Sequence, residues 1–212
     1  MTGRMLRTSL AGLYVILDRA ARPERPLLEV LNAAATGGAS IFQYRNKTVS
    51  MKDAYEEAGP LRARASELGV LFLVNDRCDL ALAIDADGVH LGQTDLPYAR
   101  ARRILGPDKY IGLSTHNAAQ VKDADRLRPD YIGYGPIFPP ASKTDHDPVV
   151  GLEGLRQIRT LTSVPVFAIG GIHADHVCQV IDAGANGVAV ISAVMGASDI
   201  TAAVAMFIGR MR

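Results

Sequence analysis

The stretch VNDRCDLALAIDADGVHLGQTD, residues 74–95, decides both the expected fold and the expected chemistry. One apolar strand ends at Asn75 and Asp76, and a second strand, around residues 88–91, is followed by Asp95. Equivalent ends of neighbouring parallel strands lie at one edge of a sheet, where ligands bind in α/β proteins. Two carboxylates at such an edge can share a divalent cation, since Mg²⁺ takes oxygen ligands from one or two protein carboxylates and from substrate phosphates. The first substrate class to consider is therefore a diphosphate.

A second interpretation of these acids involves no ligand. Asn-Asp pairs are common in turns and at helix N-termini, so Asn75 and Asp76 could cap a helix that begins near Asp79. Asp95 could cap the helix that follows it in the same way. Only the ligand interpretation places both acids at the same opening. Two carboxylates in that arrangement repel each other unless a cation lies between them.

Length and composition favour a single domain over residues 1–212, with residues 1–11 as a flexible N-terminal extension. The chain has 212 residues, of which 48% are hydrophobic, enough for one buried core. A formal net charge of +1 argues against a nucleic-acid partner, and no apolar run reaches the roughly 18 residues of a membrane span. Cys78 and Cys178 lack CxxC spacing and are predicted to be reduced, as in a cytoplasmic protein.

Strands and helices alternate along the whole chain. The predicted strands are residues 12–18, 40–45, 70–76, 88–92, 110–115, 131–138, 164–171 and 187–192. The predicted helices are residues 26–36, 50–68, 79–84, 96–105, 117–127, 152–161, 174–183 and 199–211. This alternation predicts a single-domain (β/α)8 TIM barrel of the α/β class. An open doubly wound sheet is the alternative, and residues 79–84 are short for a crossover helix.

The end of the second strand carries an amide and two cations. Alternation along QYRNK sends Gln43, Arg45 and Lys47 to one side of the strand. Arg can bind a phosphate through two hydrogen bonds and Lys supplies a point charge, so this row suits an anionic substrate. The alternative is a solvated strand end with ordinary surface cations.

The fifth strand ends in Ser114, Thr115 and His116, followed by Asn117. The Ser114 hydroxyl could bind a phosphate or a pyrimidine ring. Helix capping by Thr115 or Asn117 would explain half of this run without a function, and we interpret His116 as structural.

Three later segments could bind a second anion. The long polar loop after the sixth strand contains Ser142 and Lys143, although an ordinary loop is the alternative. The last two strands end in Gly170-Gly171 and Ile191-Ser192, where TIM barrels often bind phosphate. His173 and His176 are spaced like zinc ligands, but without a third ligand nearby a surface pair is the better interpretation.

Taken in order, these motifs resemble thiamine phosphate synthases over residues 13–194. They are QYRNK, VND, HLGQTD, GLSTHN, GPIF with its following Ser-Lys, AIGGI and AVISAV. The resemblance implies a barrel transferase of the EC 2.5.1 type that uses Mg²⁺. Such an enzyme joins 4-amino-5-hydroxymethyl-2-methylpyrimidine diphosphate to thiazole phosphate and releases pyrophosphate. Its implied partners are these small molecules, and a homo-oligomer is compatible with the sequence.

The resemblance also implies roles for individual residues. Those implied to hold the pyrimidine diphosphate are Gln43, Arg45, Lys47, Asn75, Ser114 and Lys143. Those implied to hold the thiazole phosphate are Gly171, Ile191 and Ser192, with Ser142 in the same loop as Lys143. Asp76 and Asp95 are the implied Mg²⁺ ligands, and Arg45, Lys47, Ser114 and Lys143 are the implied catalytic group. The implied mechanism is dissociative, with diphosphate leaving before the thiazole nitrogen attacks.

The loop after GPIF departs from the family pattern of Thr-x-Thr-Lys followed by a basic residue. Pro140 supplies neither a hydroxyl nor a backbone N–H, and Thr144 replaces the positive charge. This departure leaves a non-catalytic paralogue that binds thiamine precursors as an alternative. A thiazole tautomerase-like relative is a further alternative, but such a relative is expected to have a histidine in place of Pro136 and to lack the acidic pair.

Overall fold

Eight parallel strands close into a barrel in the computed structural model, which describes residues 10–139 and 148–211. The strands are β1 (Gly12–Asp18), β2 (Ile41–Arg45), β3 (Leu71–Asn75), β4 (Gly88–Leu91), β5 (Tyr110–Thr115), β6 (Tyr131–Tyr134), β7 (Val166–Ile169) and β8 (Gly187–Val190). Each strand pairs with the next in sequence, and β1 pairs with β8, with Gly12 opposite Gly187. The predicted (β/α)8 barrel is confirmed, and the open sheet is wrong.

The helices surround this barrel. They are α1 (Leu27–Thr36), α2 (Met51–Leu68), α3 (Cys78–Ala83), α4 (Tyr98–Leu105), α5 (Ala118–Leu127), α6 (Gly151–Arg159), α7 (Val177–Asp182), α8 (Ser192–Met195) and α9 (Ile200–Gly209). A 3₁₀ turn at Ala174–His176 precedes α7. The short α3 does serve as a crossover. The sequence patterns did not indicate α8, a single turn directly after β8.

Two apolar layers follow from the period-two alternation of the strands. In β1, Tyr14 and Ile16 point into the barrel, where they pack with Phe167. Leu13 and Val15 point outward into the larger core shared with the helices. Alternate residues of each strand therefore reach the barrel interior, and those nearest the carboxyl ends form the walls of its mouth.

The last three strands are shorter than predicted at their carboxyl ends. Pro136 has no N–H to continue the ladder beyond β6, and Gly170 has a φ of 96° that strand geometry does not allow. The residues beyond these points form loops at the barrel mouth. Leu10 is buried inside the barrel, whereas residues 1–9 of the predicted extension lie outside the described part of the chain.

Both cysteines are free thiols, with Cys78 buried and Cys178 exposed. Within residues 10–139 and 148–211, no helix combines the length and the apolar character that crossing a bilayer requires.

Candidate active site

A cavity of about 670 Å³ opens at the carboxyl end of the barrel. All the predicted site residues that the structure describes line it, namely Gln43, Arg45, Lys47, Asn75, Asp76, Asp95, Ser114, Gly171, Ile191 and Ser192. Ser142 and Lys143 lie outside the described residues. The barrel thus brings together residues from six strand ends that are far apart in sequence, while their individual roles stay predictions.

Asp76 and Asp95 meet at one side of this cavity. Asp76 follows β3 with a φ of 62°, and its N–H donates to the His90 carbonyl oxygen at 2.8 Å. The two carboxyl groups lie close enough that each changes the pKa of the other. Lys47 Nζ lies 2.9 Å from Asp76 Oδ2, and Asp95 Oδ2 accepts the Gly92 N–H at 2.6 Å. Backbone contacts and the Lys47 ammonium group therefore hold the two carboxyl groups in place.

The alternative of helix capping is wrong for these acids. The N-cap of α3 is Arg77 and that of α4 is Pro97, and neither helix has a side-chain cap. Asn75, Asp76 and Asp95 consequently direct their side chains to the cavity rather than to a helix terminus.

The charges of this pair are mutually dependent. Burial opposes ionisation of Asp76, but hydrogen bonds from Asp95 and Lys47 and the charges of Lys47 and Arg45 lower its pKa below the usual value. Burial and the hydrogen bond to Asp76 raise the pKa of Asp95. Two adjacent carboxyl groups in these opposite states share a proton when no cation lies between them.

The donor set fits Mg²⁺. Among the described residues, no group of three or more His, Cys, Asp or Glu side chains is arranged to hold a metal, so a site of the zinc type is not formed there. Mg²⁺ needs only one or two carboxylates when a substrate supplies phosphate oxygens and water completes the octahedron. Asp76 and Asp95 offer that set next to Lys47.

Arg45 is oriented by a residue that the sequence analysis did not identify. Its Nη1 donates to Asp18 Oδ2, and Asp18 is only 6% exposed. Asp18 Oδ1 also accepts the Ala20 N–H at 3.0 Å, which fixes the carboxylate. The signal for Asp18 was its position, an acid at the end of the apolar strand β1.

Three further residues of the cavity were also missed. Tyr14, His90 and Tyr131 line its floor and connect Gln43 to Ser114 through hydrogen bonds. Alternation along β1, β4 and β6 would have placed all three inside the barrel, and a polar side chain on an inward face is a signal for a binding site.

Burial lowers the pKa of His90 from 6.5 to about 4, with a smaller opposing effect from the Asp76 charge. The unfolded chain therefore binds this proton near pH 6.5 and the folded chain only near pH 4. We expect the free energy of unfolding to fall as the pH drops through this interval, by up to about 3 kcal/mol from His90.

Urea unfolding at pH 7.5, 6 and 5 measures this dependence, and the difference between the wild type and His90→Gln isolates the histidine. A smaller loss of stability at pH 5 in His90→Gln is the expected result. Parallel losses in the two proteins would show that His90 does not titrate in this range on unfolding.

The β5 end combines capping with a cavity wall. The Asn117 side chain caps α5 by accepting the Gln120 N–H at 3.0 Å, as one alternative predicted, whereas Thr115 Oγ1 donates to the Gly133 carbonyl oxygen. His116 Nδ1 lies 2.8 Å from the Gly135 carbonyl oxygen. That contact fits a structural role, although the ring also lines the cavity.

The opposite side of the cavity is formed by the ends of β7 and β8. Gly171 has a φ of 62°, and a Cβ there would lie 2.7 Å from the Pro139 carbonyl oxygen, so only glycine fits this close approach. Ser192 begins α8 directly after Ile191. Glycine backbone and a helix start are the elements that bind phosphate after the last strands of TIM barrels.

The two histidines near this wall contact each other and a neighbouring aromatic ring. His176 Nδ1 accepts the His173 N–H at 3.3 Å, and the His176 ring packs on Phe138 with centroids 4.2 Å apart. His173 is exposed, as a surface residue should be, but it also reaches the cavity.

The fold and the cavity define an enzyme of the (β/α)8 class whose mouth combines carboxylates, cations and glycine-rich strand ends. Residues 13–194 match the family described as thiamine monophosphate synthase. The chain belongs to that family.

Individual relatives agree with this assignment. A thiamine-phosphate synthase of Chloroflexus aurantiacus is 48% identical over 90% of this chain and 88% of its own length. A thiamine-phosphate synthase of Syntrophomonas wolfei is 45% identical over 89% of this chain and 90% of its own length. The solved thiamine phosphate pyrophosphorylase of Pyrococcus furiosus superposes with a TM-score of 0.86 at 40% identity, covering 96% of both chains.

Proposed function

We propose that this protein makes thiamine phosphate by joining 4-amino-5-hydroxymethyl-2-methylpyrimidine diphosphate to thiazole phosphate with release of pyrophosphate. Family membership supports the activity. The observation that carries the assignment of the site is one cavity wall on which the Asp76–Asp95 pair lies beside the row Gln43, Arg45 and Lys47.

Asp76 and Asp95 are proposed to hold Mg²⁺. When bound, the ion would neutralise charge on the diphosphate and so make it a better leaving group. A cation would also remove the repulsion between the two carboxylates, so that neither needs to keep a proton at neutral pH. Lys47, which contacts Asp76, would then be available to the diphosphate oxygens.

The basic side chains stabilise the departing group. The C–O bond between the pyrimidine methylene and the diphosphate breaks, and its electron pair leaves with the diphosphate. Arg45, held by Asp18, and Lys47 face the position where that charge develops. Preorganised charges of this kind act in the transition state without reorganising. Lys143 is proposed to add a further charge from the loop that lies outside the described residues.

The other wall is proposed to hold thiazole phosphate. Gly171, Ile191 and Ser192 would bind its phosphate, with Ser142 from the loop. The thiazole nitrogen then donates its lone pair to the pyrimidine methylene cation and forms the new C–N bond. Holding both rings in one cavity makes this step effectively unimolecular, and the chemistry requires little acid or base catalysis from the protein.

Combining the purified protein, both substrates and Mg²⁺ should yield thiamine phosphate, measured after conversion to a fluorescent thiochrome. Chelating the metal with EDTA should reduce the rate by about two orders of magnitude or more, because several kcal/mol of charge stabilisation are lost. Added Mg²⁺ should restore it. Absence of product at every substrate concentration would contradict the proposal.

One alternative is a thiazole tautomerase-like relative, against which stand the acidic pair and Pro136 in the cavity wall. The other is the non-catalytic paralogue, which the departures at Pro140 and Thr144 favour. Calorimetry separates the latter from the synthase, since tight pyrimidine diphosphate binding without turnover would identify it. A cytoplasmic location and a homo-oligomeric state stay predictions.

A further inference from the structure

A continuous chain of hydrogen bonds crosses the floor of the cavity. Gln43 Nε2 donates to the Tyr14 hydroxyl at 2.5 Å, and the hydroxyls of Tyr14 and Tyr131 lie 2.9 Å apart. The Tyr131 hydroxyl lies 2.9 Å from His90 Nδ1, and His90 Nε2 lies 2.9 Å from Ser114 Oγ. Residues from β2, β1, β6, β4 and β5 are joined in this way.

This chain of hydrogen bonds has a defined direction. An amide nitrogen can only donate, so Tyr14 accepts from Gln43 and directs its single proton to Tyr131. Tyr131 in turn directs its proton to Nδ1 of His90. A neutral imidazole that accepts at Nδ1 carries its proton on Nε2 and donates it to Ser114.

The two ends of the chain therefore present opposite groups to a ligand. Ser114 Oγ accepts from His90, which leaves the hydroxyl proton of Ser114 available to donate. Gln43 donates one of its two amide N–H groups to Tyr14, which fixes the orientation of the amide, and no donor bonds its Oε1 within residues 10–139 and 148–211. The cavity floor thus offers an acceptor at Gln43 and a donor at Ser114.

Packing of the aromatic rings holds the hydrogen-bonded side chains in place. The rings of Tyr14, Tyr131 and Phe167 contact one another edge to face with centroids 5.5–5.8 Å apart. A Cβ on Gly112 would lie 2.0 Å from the Tyr131 ring, so the ring occupies space that only glycine leaves. Burial raises the pKa of both tyrosines, which keeps each hydroxyl protonated.

We propose that Tyr14, Tyr131 and His90 are positioning residues that fix this direction and so make the cavity select a 4-aminopyrimidine over a 4-oxopyrimidine. The inference rests on the proposed function. An aminopyrimidine offers an amino donor beside a ring-nitrogen acceptor, which matches Gln43 Oε1 and the Ser114 hydroxyl. In the oxo form the amino donor is replaced by a carbonyl acceptor, and the ring-nitrogen acceptor by an N–H donor. An acceptor would then face Gln43 Oε1, and a donor would face the donating hydroxyl of Ser114.

The test compares kcat/KM for the amino substrate and for its 4-oxo analogue, both as diphosphates, in the wild type and in Tyr131→Phe. This variant keeps the ring but removes the central hydroxyl, after which Ser114 and Gln43 can reorient. We expect the wild type to prefer the amino substrate by at least about a hundredfold and the variant to lose about tenfold or more of that preference. A structural role alone would lower both rates in parallel.

Tyr134→Phe is the matched control, because Tyr134 lies on the same strand but packs between the barrel and the helices. Tyr134→Phe should leave the ratio of kcat/KM for the amino substrate and its 4-oxo analogue unchanged. If Tyr131→Phe fails to fold, Tyr14→Phe interrupts the chain one step earlier. If the wild type makes product but Tyr131→Phe and Tyr14→Phe both keep the wild-type ratio of kcat/KM for the two substrates, this inference alone is overturned. If the wild type makes no product, the proposed function is overturned as well.

Discussion

Asp76→Asn should reduce turnover about a thousandfold while leaving the fold intact. The change removes one of the two proposed Mg²⁺ ligands, and with it several kcal/mol of charge stabilisation on the leaving diphosphate. Asn is the appropriate replacement because Asp76 has a φ of 62°, which Asn tolerates and Ala does not. With Asp76→Ala, a loss of activity would mix strain in the backbone with loss of the ligand.

Asp85→Asn provides the matched control. Asp85 also has a positive φ, of 51°, and forms an ion pair with Lys109, but its side chain is 85% exposed before β4 at the amino end of the barrel. Steady-state kinetics at saturating Mg²⁺, with thermal melting to check the fold, should show normal turnover for Asp85→Asn. Near-normal turnover in Asp76→Asn would mean that the metal assignment is wrong.

Arg45→Met should have two separate effects, on turnover and on stability. Loss of the guanidinium removes a preorganised charge near the leaving group, which costs about a hundredfold to a thousandfold in kcat. It also leaves Asp18 buried without its partner, which costs about 3 kcal/mol in the free energy of unfolding. Coupled kinetic and urea-unfolding measurements quantify both losses.

Two further variants separate these effects. Adding Asp18→Asn to Arg45→Met removes the unpaired charge and keeps an oxygen for the Ala20 N–H, so stability should recover but turnover should not. Arg62→Met is the control, because Arg62 has the same 17% exposure as Arg45 and pairs with Asp87 outside the cavity. It should lose stability and keep turnover. Recovery of turnover in the double variant would exclude a direct role for Arg45.

The barrel and its polar mouth were predictable because both depend on periodicity. Alternation along a strand decides which residues face inward, and it correctly placed Gln43, Arg45 and Lys47 on one wall. The ends of parallel strands lie together in any closed barrel, which is why Asp76 and Asp95 meet although a helix separates them in sequence.

What the sequence did not reveal depends on contacts across the barrel. The Asp18–Arg45 pair requires the register of β1 against β2, in which these two residues are partners, and no local pattern states that register. The hydrogen-bond chain from Gln43 to Ser114 joins residues on five strands. Its three inner members, Tyr14, Tyr131 and His90, each look like an ordinary core tyrosine or histidine when taken alone. The single turn of α8 is too short to leave a periodic signal.

Carboxylates and cations at one mouth of the barrel are proposed to bind pyrophosphate together with Mg²⁺. Isothermal titration of pyrophosphate into the wild type and into an Asp76→Asn, Asp95→Asn double variant, each with and without Mg²⁺, tests it most directly. Mg²⁺ should tighten pyrophosphate binding to the wild type by about tenfold or more and have little effect on the variant. Equal effects of Mg²⁺ on the two proteins would contradict the claim.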